Sequence, residues 1–193
     1  GDVAAGVAAA VALIAMALLT RGLHLDGLAD WADGFWGSHD RERTLAIMKD
    51  SSIGTFGAVA LICVLLGKWA SLTVLVKAEG LNWLVAAMML SRSVQVMLAT
   101  TLPYARAADG TAAPFVQPGH VSATGIALGA TFIVLLVCGL GVAAVPAMVV
   151  AVAIGWLFGM QARRRIGGIT GDLLGAGNEL VELAVLAMGA CVV

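Results

Sequence analysis

Residues 121–160 form a run of 40 positions without one charged side chain. At about 1.5 Å of rise per residue such a run makes about 60 Å of helix, twice the hydrocarbon thickness of a bilayer. It is read as two membrane crossings, with Cys138-Gly139-Leu140-Gly141 and Pro146 marking the turn between them. The remaining apolar runs place further spans at 3–19, 53–76, 81–102 and 179–193, the last a short one. A soluble fold is excluded, because 193 residues that are 61% hydrophobic and 12% charged cannot keep that much apolar surface from water. The expectation is an all-α polytopic integral membrane bundle of about six spans, a single membrane domain over 1–193.

Three polar segments, 20–52, 103–120 and 161–178, interrupt the spans, and with six crossings in alternation all three fall on one side. They carry eight of the 11 Lys and Arg residues; only Lys77 lies on the opposite side, while Lys68 and Arg92 lie inside spans. The positive-inside rule assigns that side to the cytoplasm, so the chemistry is expected on the inner face of the membrane. Eight of the 12 acids, Asp109 and Asp172 among them, sit on the same side although they had no vote in the orientation. A net charge of −1 argues against nucleic acid as a partner; membrane lipid is expected around the bundle, and a homo-oligomer is left open. Cys63, Cys138 and Cys191 lie singly in apolar runs and read as small buried hydrophobes rather than a disulfide framework. The chain opens on Gly1 at an apolar run without a basic leader, so no signal peptide is inferred and part of the natural N-terminus is expected to be missing.

The densest chemistry is in residues 21–34, RGLHLDGLADWADG. Asp26, Asp30 and Asp33 recur at i, i+4 and i+7, an arc of about 60° on one helix face. Carboxylates so placed repel one another unless a cation lies between them, and hard oxygen ligands suit Mg²⁺ or Mn²⁺ completed by substrate phosphates. The competing reading is a solvated polar face at the lipid boundary, less favoured because acids near membrane depth are costly. His24 lies about 200° around the helix from Asp26, suited to a base or supporting role or to a plain interfacial histidine.

Residues 40–50 read as a short amphipathic helix on the membrane, with Leu45 and Met48 toward lipid and Arg41 and Lys49 free for phosphate or headgroups. Asp50 opens a helix stop and a capped start. Further on, RRRIGGITGDLLGAGNE (163–179) joins an Arg triplet, a flexible glycine loop at Gly167, Gly168 and Gly171, and an acid face of Asp172, Glu179 and Glu182. Arg92, one turn before Gln95, needs a carboxylate, a phosphate or a water-filled cavity, whereas Lys68 is expected to snorkel. The proline-bearing segment 103–120 reads as a stiff lid or connector. Two acid- and glycine-rich segments with cations between them suit metal-assisted phosphoryl transfer on an amphiphilic substrate. No Walker A motif is present.

HLDGLADWADG (24–34), DRERTLAIMKDSSIGTFG (40–57), LPYAR (102–106) and GGITGDLLGAGNELVEL (167–183) strongly resemble the cobalamin synthase family, in that family's motif order. The resemblance implies an Mg²⁺-dependent adenosylcobinamide-GDP ribazoletransferase. Such an enzyme joins adenosylcobinamide-GDP to alpha-ribazole or its 5′-phosphate and releases GMP. Carried over by motif, Asp26, Asp30, Asp33 and Asp172 are the metal set; Asp33, His24 and Asp50 are catalytic candidates. Arg41, Lys49, Arg92 and Glu179 are the substrate-binding candidates. Trp31 stands where that family often has a small or polar residue. The DxxDG of residues 30–34 is shared with CDP-alcohol phosphotransferases, but their later GxxxDxxxD fails at Ala176. A cation transporter is a third reading, and it requires acids near the bilayer midplane.

Overall fold

The computed structural model describes residues 1–106, 110 and 112–193; Asp109 lies outside the described residues. The chain runs through α1 (Asp2–Leu19), α2 (Leu23–Gly37), the short α3 (Arg41–Ile47), α4 (Thr55–Lys77), α5 (Asn82–Thr101), α6 (Val121–Val137), α7 (Ala144–Ile166) and α8 (Gly171–Val192). Helices α1, α4, α5, α7 and α8 are long and apolar enough to cross a membrane, and the 17-residue α6 is apolar but shorter. The all-α membrane bundle expected from the uncharged runs is what the chain forms.

Several boundaries differ from the sequence reading. The last crossing begins at Gly171, well before Glu179, because Thr170 caps it by accepting from the Leu173 amide. The Arg triplet belongs to the final turn of α7, where cations meet the negative end of the helix dipole. Pro146 sits in the first turn of α7, where a missing N–H costs nothing, and the turn proper is 138–143. Met48 does not face lipid: it is buried in a slot that Gly34 leaves open, directly over that missing side chain. Cys63, Cys138 and Cys191 are exposed on the outside of the bundle rather than buried, which suits small apolar groups where the surrounding solvent is itself apolar.

The polar segments gather at one end, as the alternation of spans predicts. Arg41 ties three of them together: its Nε donates to the Ile166 carbonyl at 2.8 Å and its Nη2 to the Ala105 carbonyl at 3.0 Å. The glycine loop is pinned rather than flexible, since Ile169 exchanges backbone hydrogen bonds with Pro103 and Ala105, each at 2.9 Å. Gly168 lies against the Pro103 carbonyl with no room for a Cβ. At the far end Lys77 pairs with Asp2 at 2.7 Å.

Two helices that are far apart in sequence, α2 and α8, pack backbone against backbone. A Cβ on Gly27 would lie 2.5 Å from the Asp172 carbonyl oxygen, and one on Gly175 would lie 3.1 Å from the His24 Cα. Small residues let helix backbones approach where lipid offers no hydrophobic drive to do so. Gly27→Val should therefore force α2 and α8 apart and destabilise the protein by about 2–3 kcal/mol. Thermal unfolding in detergent checks this, with Gly125→Ala, in open space on α6, expected to leave the midpoint unchanged.

Candidate active site

The three aspartates of α2 do not have one job. Asp33 accepts from the backbone amides of Gly54 at 2.7 Å and Gly57 at 2.9 Å, so its carboxylate caps the uncapped start of α4. Gly57 packs so tightly on Asp33 that no side chain fits there. Asp26 and Asp30 remain on the open face. Burial, reinforced by the facing carboxylates of Asp172 and Asp26, pushes the Asp30 carboxyl up to about 7. Asp172 comes in from the first turn of α8, with one oxygen 2.8 Å from the Arg106 guanidinium. Carboxylates from two segments some 140 residues apart thus act on one another electrostatically. Among the described residues no three His, Cys, Asp or Glu side chains close into a metal cage.

Two cavities border α2. One, of about 420 Å³, is lined by Arg21, Asp26, Asp30, Ser51 and Ser52. The chain reaches it through a left-handed turn at Arg21 and Gly22, with φ of 51° and 71°. The other, of about 1010 Å³, has an apolar wall including Val96, Ala99 and Phe115 and a polar one of His24, Arg92, Gln95 and Asp172. Asp172 borders this larger space, and its carboxylate acts on Asp30, which borders the other. A concave, partly apolar chamber with a few converging polar groups is the usual form of a small-molecule site.

Beneath the larger cavity lies a buried ionic network that the sequence reading did not assemble. Lys68, expected to snorkel, is 2% exposed and donates to Glu179 and Glu182, each at 2.6 Å. Glu179 is therefore committed to an ion pair inside the bundle, away from the larger cavity's lining. Glu182 also takes the Nη1 of Arg92 at 3.1 Å and the Asn178 amide at 2.8 Å. Arg92 finds its carboxylate, as the cost of an unpaired guanidinium demands. These acids do lie deep in a span, but each is matched by a buried cation. His24 sits between Asn178 and Gln95, 3.3 Å from each amide nitrogen. Burial first, and the Arg92 charge second, lower its imidazole to about 4, so it is neutral near pH 7.

The other candidates stand apart. Arg41 gives its guanidinium to the two carbonyls described above, Lys49 is exposed, and exposed Asp50 accepts from the Ser52 amide at 2.9 Å. Ser51 and Ser52, rather than Asp50, line the acid cavity. Trp31 is buried among Phe35, Trp36 and Phe158, and its indole N–H has no partner among the described residues. Arg106 and Asn178 were not anticipated as site residues; LPYAR and GAGNE contain them, but nothing in their spacing names their partners.

A family model described as Cobalamin-5-phosphate synthase matches residues 2–190. An adenosylcobinamide-GDP ribazoletransferase of Chlorobaculum parvum is 45% identical over 185 residues, 93% of this chain and 71% of the relative. One from Chlorobaculum tepidum is 45% identical over 190 residues, covering 95% and 73%. One from Syntrophobacter fumaroxidans is 42% identical over 189 residues, covering 94% and 73%. No solved structure matches.

The division of labour on α2 is testable. Asp33→Ala should cost about 1–2 kcal/mol of stability by uncapping α4. Asp26→Ala, which has no such contact, should leave the unfolding midpoint within a degree or so in the same detergent assay.

Proposed function

The chain belongs to the cobalamin-5-phosphate synthase family, and from that membership we propose that it works as an adenosylcobinamide-GDP ribazoletransferase in the late assembly of the nucleotide loop of cobalamin. The acceptor is alpha-ribazole or alpha-ribazole 5′-phosphate. The observation that carries the mechanism is Asp172, whose carboxylate acts on Asp30 and which lines the cavity that Arg92 also lines. The polar end of the bundle, rich in Lys and Arg, supports an active site on the cytoplasmic face of a prokaryotic plasma membrane.

In this reading the ribazole ribose hydroxyl attacks the phosphorus on the cobinamide side of the diphosphate. A new P–O bond forms, the bridging P–O bond to the outer phosphate breaks, and GMP leaves as the hydroxyl loses its proton. Such transfers pass through a loose transition state, so the protein's part is positioning and charge neutralisation. One or two of the carboxylates of Asp26, Asp30 and Asp172 would hold Mg²⁺ together with diphosphate oxygens. Their donor chemistry fits an ion that arrives with the diphosphate, because Mg²⁺ takes one or two carboxylates plus phosphate oxygens, and burial among facing carboxylates disfavours the charged form of Asp30 until a cation joins it. When bound, the ion supplies neutralisation of the diphosphate and polarisation of the P–O bonds. Arg106 keeps Asp172 oriented from behind through its 2.8 Å ion pair. Arg92, which lines the larger cavity, offers the Nε and Nη2 edge of its guanidinium to a phosphate oxygen. His24, neutral, accepts from only one of the two amide donors, Asn178 or Gln95, and its other ring nitrogen, an N–H, is left to donate to the acceptor hydroxyl.

Wild-type protein in lipid nanodiscs, given adenosylcobinamide-GDP, alpha-ribazole and Mg²⁺, should release GMP, and chelation should stop it. Asp30→Asn should lower turnover by about 100-fold or more without loss of fold. Added Mg²⁺ with pyrophosphate should raise the unfolding midpoint of the wild type and not of this variant. Absence of GMP together with CMP release from a CDP-alcohol would overturn the assignment.

A further inference from the structure

Glu179, Lys68, Glu182 and Arg92 form a chain of ion pairs inside the helix bundle, around a small cavity of about 70 Å³. Lys68 comes from α4, Arg92 from α5, and the two glutamates from successive turns of α8. Three of the four are almost completely buried; Arg92 is the exception, with 38% of its side chain exposed. The larger cavity is lined by Arg92 but by none of the other three. Two positive and two negative groups cancel overall, yet only the cationic end is presented to the chamber where substrate would sit.

The hydrogen bonds are as one-sided as the charge. Every described contact of the Arg92 guanidinium uses Nη1, which donates to Ser91, Asn178 and Glu182. Among the described residues Nε and Nη2 make no hydrogen bond, and these two nitrogens form one edge of the planar fork that matches a phosphate. Glu182 is in turn saturated: Oε1 faces Arg92, Ser91 and Asn178, and Oε2 faces Lys68. Asn178 cannot turn over, because Arg92 only donates and so must meet its oxygen, while Glu182 only accepts and so must meet its nitrogen. That orientation leaves the Asn178 amide nitrogen on His24. A pair of charges needed for stability alone could be replaced by apolar packing at little cost. A quartet that holds one face of an arginine and leaves its other edge unpartnered at a cavity wall has a different economy.

We infer that Glu182, backed by Lys68 and Glu179, is a positioning residue that aims the free edge of Arg92 at the diphosphate of the nucleotide-bearing donor. Lys68 bridges both glutamates, so the quartet is neutral as a whole while Glu182 holds Arg92 through Nη1 alone. This inference rests on the transferase reading above, in which Arg92 meets a substrate phosphate.

The test is steady-state kinetics on full-length protein in nanodiscs with each substrate varied in turn, alongside Mg²⁺-pyrophosphate binding as a readout independent of turnover. Glu182→Gln keeps shape and hydrogen bonds but removes the charge. It should raise KM for adenosylcobinamide-GDP by about tenfold and weaken pyrophosphate binding to match, while KM for alpha-ribazole stays within about twofold. Glu182→Asp should recover part of that loss. The paired change Lys68→Met with Glu179→Gln, which keeps the bundle neutral, should shift donor KM in the same direction. Unchanged donor KM and pyrophosphate binding in variants that merely unfold at lower temperature would overturn the inference, as would failure of all the variants to fold, since both assign the quartet to stability alone. If wild-type protein binds pyrophosphate through this network but forms no GMP, the transferase reading fails and the positioning role stands.

Discussion

The backbone of Gly27 lies directly on that of Asp172, and much of the functional architecture depends on this contact. Any side chain at residue 27 would hold α2 away from α8 and separate the carboxylates that now act on one another across it. The same approach brings His24 over Gly175 and within reach of Asn178. Helices in lipid gain little by hiding apolar surface from one another, so they associate through close van der Waals contact and polar bonds. Here the first is made possible by glycine and the second by the network around Arg92.

The buried quartet shows how such a bundle carries charge without leaving it exposed to lipid. Lys68 and Arg92 would each be prohibitive alone, and Glu179 and Glu182 likewise. Joined, they lock α4, α5 and α8 at one relative rotation, because displacement of any one helix leaves a charge unpaired. The acid face of α2 sits on this frame near the wet end of the bundle. Specificity of packing and geometry of the site therefore have a common origin.

How much of this was legible depended on whether a residue's task was local. The amphipathic spacing of Asp26, Asp30 and Asp33 located the acid face, and the uncharged runs located the spans to within a few residues, α8 and the end of α7 excepted. The spacing could not tell that Asp33 would turn to the amides of Gly54 and Gly57, since capping is decided by which helix end arrives beside it. Glu179 shared a helical face with Asp172 on the wheel, but seven residues of rise carry it about 10 Å deeper, into the reach of Lys68 and away from the acids. Met48 read as a lipid contact because nothing local reveals the slot left by Gly34.

What the chain's order of residues determined alone was the class of fold, the gathering of its polar segments at one end, and the family, because hydropathy and motif are properties of consecutive residues. The partners of Arg92, the burial of Lys68 and the pairing of Asp172 with Arg106 were decided only by tertiary structure. Each joins groups many residues apart, and a charge in a membrane takes whichever counter-charge the packing of helices brings within a few ångströms.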